Sequence, residues 1–139
     1  MKNVVVTGMG VISCIGSGLN EVISSLKNGK SGIKPNPTYK EMGFRSHVSG
    51  SIDINLSELI DRKVLRFMSE ASGFAYLAAQ EALINAGLDL SSIDTSRIGI
   101  IAGSGGASSA AQIEASDIAR AKGPKRIGPY AVTKTMGST

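Results

Sequence analysis

Residues 3–29 read NVVVTGMGVISCIGSGLNEVISSLKNG. Val4, Val5 and Val6 form a continuous β-branched run, the pattern of a strand covered on both faces, so a central strand is expected over Asn3–Thr7. The Gly8-Met9-Gly10 turn follows. Leu19, Val22, Ile23 and Leu26 then recur at i, i+3, i+4 and i+7, one face of a helix closing near Asn28-Gly29. A strand–loop–helix unit of this kind opens an α/β fold.

Outward from it, residues 29–46 (GKSGIKPNPTYKEMGFRS) carry the prolines and glycines of a surface loop. Loose alternation over His47–Ile54 suggests a short edge strand, and Leu56–Ile60 a short helical turn. Residues 58–87 (ELIDRKVLRFMSEASGFAYLAAQEALINAG) combine a cationic start with a long alanine-rich helix. Ser69 suits its N-cap, Glu70 its first turn and Gly87 the left-handed residue beyond its end. Phe67, Ala71, Phe74 and Ala78 make one stripe, and Leu77, Ile84 and Leu88 extend it, so the helix is expected to be buried. Ala75, Ala78, Ala79, Ala82 and Ala86 would let another backbone approach closely. Ile98–Ala102 reads as a second buried strand. It runs into GSGGASS and a helix from about Ser108 to Ala121, after which Gly123-Pro124 breaks the chain. Val132–Met136 begins a further element. There are no internal repeats.

At 139 residues with 42% apolar and 19% charged side chains, the composition is that of one globular domain. The single Cys14 excludes an intramolecular disulfide and a cysteine-based zinc cluster. With His47 as the lone histidine, a metal site would need carboxylates, and none cluster at ligand spacing. No run reaches the roughly 18 apolar residues of a membrane helix. A signal or lipoprotein segment built on Lys2, VVVTGMGVI and Cys14 is too short and too broken by Thr7, Gly8 and Gly10.

The net charge of +4 is unevenly placed. Arg62, Lys63 and Arg66 lie within one short span beside Asp61. Asp117 is the last acid, and Arg120, Lys122, Lys125, Arg126 and Lys134 follow it. They form either a solvated basic tail or a second patch acting with Arg62, Lys63 and Arg66 on an anionic partner. No zinc-finger, basic-zipper or aromatic RNA-binding motif points to nucleic acid, and the chain has no Trp.

Gly8-x-Gly10-x-x-Ser13 imitates a dinucleotide-binding turn, but Ser stands at the third glycine position and no acid follows at about 20 residues. A glycine-permitted turn explains it. Gly103-Ser104-Gly105-Gly106 precedes a helix and can either hold an anion or pass close to another backbone. It lacks the GK[ST] of a P-loop. Cys14 reads as a small packed thiol and His47 as a structural residue.

VVVTGMGVISCIG (4–16), LKNGKSGI (26–33), FRSHVSG (44–50), LIDRKVLRFMSEAS (59–72), EALINAGL (81–88), IGIIAGSGG (98–106) and GPYAVTKTMGST (128–139) stand in the same order as in a known family. Across its whole length the chain resembles β-ketoacyl-[acyl-carrier-protein] synthases, most closely the type I condensing enzymes of bacterial fatty acid synthesis. The resemblance implies a thiolase-like α/β fold, of which residues 1–139 would be the N-terminal portion of the first α/β half. It implies an acyltransferase, a cytoplasmic homodimer without metal or organic cofactor. Its partner is acyl carrier protein in acyl- and malonyl-loaded forms, and its reaction a decarboxylative condensation.

The family's Cys, two His and Lys lie in and beyond an ACATS-like motif downstream of the GPYAVTK-like segment. The resemblance therefore assigns no catalytic residue to 1–139, and the chain alone is expected to be inactive. Cys14 and His47 inherit no role. What carries over is docking: Arg62, Lys63 and Arg66 match the family's basic cluster for the acidic face of the carrier protein. Lys122, Lys125 and Arg126 resemble a second basic contact supplied across the dimer. The alternative is a non-catalytic carrier-protein-binding module.

Overall fold

A computed structural model describes residues 3–136. Lys2 and the Gly137-Ser138-Thr139 end of the last motif lie outside the described residues. The chain divides into two compact units. One comprises residues 1–54 and 77–89, the other residues 55–76 and 90–139.

In the first unit, β1 (Ile12–Ser13) and β2 (Gly16–Ser17) form a short antiparallel hairpin, with Ile12 opposite Ser17 and Ser13 opposite Gly16. Helix α1 (Leu19–Lys27) follows, with Glu21 in its first turn and Lys27 in its last, as the macrodipole favours. Gly29 takes φ +60° just past its end, where the sequence places the stop. The buried Ser25 donates its hydroxyl to the Ile15 carbonyl at 2.6 Å and ties the hairpin loop to the helix.

Residues 29–46 are more ordered than a plain surface loop. β3 (Lys34–Pro35) pairs antiparallel with β4 (Val48–Ser49), and α2 (Pro37–Glu41) lies between them. Asn36 caps α2 by accepting from the Tyr39 N–H at 3.3 Å, and Pro37 sits in the first turn, where its missing donor costs nothing. The edge strand expected over His47–Ile54 is thus confined to Val48–Ser49.

Helix α5 (Glu70–Asn85) belongs to both units along its length. Ser69 caps it as expected, its hydroxyl accepting from the Ser72 N–H at 3.3 Å. At the other end Gly87 takes φ +65°. There Leu88 N–H bonds the Leu83 carbonyl at 3.1 Å and Gly87 N–H the Ile84 carbonyl at 3.0 Å, a Schellman closure.

The last turns of α5 hold the glycine turn of the first unit. A Cβ on Gly8 would run into the Ala82 carbonyl and lie 2.7 Å from the Ala86 Cβ. One on Gly10 would run into the Ala78 carbonyl and lie 2.8 Å from the Ala82 nitrogen. Glycines on the turn and alanines on the helix are therefore one device, which lets backbone meet backbone. Glu81 then reaches across. Its Oε2 accepts from Val11 N–H at 2.9 Å and its Oε1 from Leu19 N–H at 2.6 Å, capping α1, whose own N-cap Gly18 has no side chain to do so. Asn85 Oδ1 accepts from Met9 N–H at 3.1 Å.

In the second unit, α3 (Leu56–Leu59) and α4 (Arg62–Leu65) are single turns, the first expected from the sequence. Leu56 packs on Gly73 of α5, and Ile60 is buried at 4% exposure. After a 3₁₀ turn at Thr95–Arg97 come α6 (Ser109–Lys122), capped by Ser108, a 3₁₀ turn at Pro124–Arg126 and α7 (Ala131–Thr135).

Two expected strands are absent among the described residues. Asn3–Thr7 and Ile98–Ala102 carry no strand, and Val4 and Ile101 are 96% and 103% exposed. The residues suit a buried strand, but a strand exists only against a neighbour that completes its ladder. None lies against either segment among the described residues. Helix α5 likewise is half-covered rather than buried, with Ile84 80% exposed.

Two outcomes follow from this packing. Gly10→Ala forces a Cβ into rigid helix backbone and should destabilise the fold by about 1–3 kcal/mol, read as a lower urea midpoint. The 139-residue chain alone, with this much apolar surface open to water, should self-associate in sedimentation velocity and bind a hydrophobic dye. A monodisperse, cooperatively melting monomer would contradict the second expectation.

Candidate functional site: a cationic platform

All six cations singled out from the sequence, Arg62, Lys63, Arg66, Lys122, Lys125 and Arg126, are exposed and belong to the second unit. The first three sit on and just after α4. Asp61 starts that helix: its Oδ1 accepts from the Lys63 N–H at 2.6 Å, while the Val64 and Leu65 N–H groups bond its carbonyl at 2.9 Å. The one acid in the cluster thus satisfies the helix N-terminus. Among the described residues no carboxylate lies within ion-pair distance of Arg62, Lys63 or Arg66.

Arg66 lies over two aromatic rings. Its Cζ stands 4.9 Å from the Phe67 ring centroid and 5.1 Å from that of Tyr130. The two rings meet edge to face, with centroids 4.8 Å apart and planes at 78°. Phe67 therefore lies outside α5 and is no part of its apolar stripe. Sequence reasoning missed this cluster because Tyr130 is 64 residues from Arg66 and no local pattern joins them.

Lys122 closes α6, and Lys125 and Arg126 occupy the Pro124–Arg126 turn, entered through Gly123 at φ +87°. The chain then reaches Tyr130 and its contact with Arg66. None of the three has an acidic partner among the described residues. Arg120, the first cation after the last acid, turns back to Asp117 at 3.9 Å, an exposed pair of small energetic weight.

The other sequence candidates take structural places. Cys14 is half-buried, its Sγ against Gly32 and Gly50, where an added Cβ would approach it to 2.7 and 3.0 Å. His47 is exposed, and its carbonyl accepts from Asn36 N–H at 2.7 Å at the β3–β4 pair. The Gly8–Gly10 turn faces α5 in place of a dinucleotide. Gly103, Gly105 and Gly106 have nothing within 4 Å of an added Cβ, and Ser104 donates within the loop to the Gly106 carbonyl at 2.8 Å. A cleft of about 360 Å³ lies beside that loop, lined by Ser69, Ser72, Ala102, Ser104, Ser108 and Met136 among others. Among the described residues no other backbone lies close to the loop's glycines, so the close-passage reading of the loop gains no support there. Among the described residues no group of His, Cys, Asp or Glu could hold a metal ion, and no helix is long and apolar enough to cross a membrane.

A family model described as beta-ketoacyl synthase, N-terminal domain, matches residues 1–139. The chain belongs to the β-ketoacyl synthase family. It is 50% identical to 3-oxoacyl-[acyl-carrier-protein] synthase 1 of Haemophilus influenzae, over 100% of this chain and 34% of that protein. The chain thus spans about a third of the length of this curated relative. Among solved structures, a β-ketoacyl synthase from Burkholderia phymatum STM815 superposes with a TM-score of 0.81 over 99% of this chain and 34% of its own, at 24% identity. A ketosynthase bound to a type II polyketide synthase acyl-carrier protein, AntDE:AntF, superposes with a TM-score of 0.69 over 95% of this chain and 35% of its own, at 24% identity. The thiolase-like α/β fold expected from the sequence is thereby shown.

In this synthase segment the cationic turn depends on Asp61. Asp61→Ala should accelerate amide exchange at Lys63 and cost about 1 kcal/mol, whereas Asp61→Asn should keep the protection because asparagine caps as well. Equal exchange rates in the two variants would show that the carboxylate does not hold the turn.

Proposed function

We propose that this chain is the N-terminal part of a 3-oxoacyl-[acyl-carrier-protein] synthase and that it supplies the docking platform for acyl carrier protein. The observation that carries this reading is the match of the entire chain to the synthase N-terminal domain. Support for the docking role comes from the exposed cations Arg62, Lys63 and Arg66, which have no carboxylate of their own among the described residues. The solved ketosynthase in complex with an acyl-carrier protein supports a partner of that kind. Lys122, Lys125 and Arg126 would extend the positive surface toward the same partner.

The full protein would take an acyl group from the carrier onto a cysteine. That thioester would then be attacked by the carbanion released when malonyl-carrier protein loses carbon dioxide. A thiolate must hold the acyl group and imidazoles must polarise the malonyl thioester. We assign these groups to the remaining two thirds of the protein, since Cys14 is packed between glycines and His47 lies on the surface of a two-stranded pair. In this division the segment selects and delivers, and the rest reacts. The whole enzyme is expected to work in the cytoplasm as a homodimer, with no metal or organic cofactor. No specific observation favours the alternative of a carrier-binding module without chemistry.

Unpaired surface cations act through long-range steering, which speeds encounter and is screened within about 10 Å at 0.1 M salt. Lys63→Glu combined with Arg66→Glu, made in the full-length protein, should therefore weaken carrier-protein binding more than about tenfold at low ionic strength. The gap should narrow as salt is raised. Unchanged affinity at low salt would remove the docking assignment. A full-length protein that binds carrier yet makes no 3-oxoacyl product would favour the module.

A further inference from the structure

The geometry points to Phe67 and Tyr130 as positioning residues for Arg66, fixing its guanidinium so that its N–H edge meets a carboxylate of the acidic carrier protein. This inference rests on the docking reading above and assigns roles to two aromatic residues outside the cationic set.

A guanidinium offers two distinct surfaces. Its face is attracted to an aromatic ring, and its rim carries five N–H donors arranged for the two oxygens of a carboxylate. Both rings lie about 5 Å from Arg66 Cζ, so aromatic carbon contacts the cation while no acidic acceptor takes the rim among the described residues. The rings are themselves held. The Tyr130 carbonyl accepts from Lys134 N–H at 3.1 Å and from the Thr133 hydroxyl at 2.9 Å, which seats Tyr130 on the first turn of α7. Phe67 is fixed by its N–H bond to the Val64 carbonyl at 3.1 Å and by its edge-to-face contact with Tyr130.

A free surface arginine loses much rotamer freedom when a partner engages it. One already in contact with a pair of rings has given up part of that freedom before the partner arrives, which is preorganisation. Lys63 lacks any ring within the described contacts and acts as a mobile point charge. The two cations therefore play different parts, with Lys63 attracting the partner and Arg66 setting its orientation.

The inference is tested by a double-mutant cycle in the full-length synthase carrying this chain, titrated with dye-labelled acyl carrier protein by fluorescence anisotropy at low ionic strength. Tyr130→Leu should weaken binding about fivefold, and Tyr130→Phe, which keeps the ring, less than about twofold. In an Arg66→Ala background Tyr130→Leu should cause no further loss, because the ring acts through the guanidinium. Equal losses in both backgrounds, or wild-type affinity for Tyr130→Leu, overturn the proposal. If Tyr130→Leu does not fold, Phe67→Leu with and without Arg66→Ala decides by the same criterion. The Lys63→Glu, Arg66→Glu variant separates the two readings. Full binding there removes the docking role altogether, whereas lost binding with an indifferent Tyr130→Leu removes only the positioning role.

Discussion

The first unit depends on a contact that admits no Cβ. Gly8 and Gly10 lie against the helix backbone at Ala78, Ala82 and Ala86, and any larger residue on the turn would strike a carbonyl. That approach brings Glu81 within reach of two backbone N–H groups, one of them at the start of α1. Helix α1 begins at a glycine with no side-chain cap of its own, and a carboxylate from 62 residues away supplies one. Ser25 then anchors the β1–β2 hairpin to the helix so capped. Remove the close approach and the cap, the helix start and the hairpin lose their common support.

The cationic turn shows a different economy of charge. Asp61 would be the natural partner of its basic neighbours, yet its oxygen accepts a backbone N–H that would otherwise be orphaned. Arg66 meets aromatic faces, which attract a cation without neutralising it. A positive surface built this way keeps its field available to a partner while its geometry is set by contacts that carry no negative charge.

The open apolar segments carry the opposite lesson. Val4–Val6 and Ile100–Ile101 are as hydrophobic as any residues in the chain, and they face water. Strand propensity describes fit to a pleated, half-covered surface; it cannot make a ladder without a second strand.

Much was legible in the sequence. Helices α1 and α5 follow from apolar spacing with Ser69, Gly29 and Gly87 among their limits, and α6 from its place between a glycine-rich loop and the Gly123-Pro124 break, because caps, left-handed glycines and breakers are local chemistry. The six cations and the packed nature of Cys14 were legible too, and the order of seven motifs pointed to the family. Only the tertiary structure decided which residues those elements meet. The 62-residue reach of Glu81 to Leu19 and the 64-residue reach of Tyr130 to Arg66 have no local signature, since each depends on how distant backbones pack. The two valine- and isoleucine-rich segments mark the same boundary: sequence determines what a residue prefers to touch, and the fold determines whether it is there to be touched.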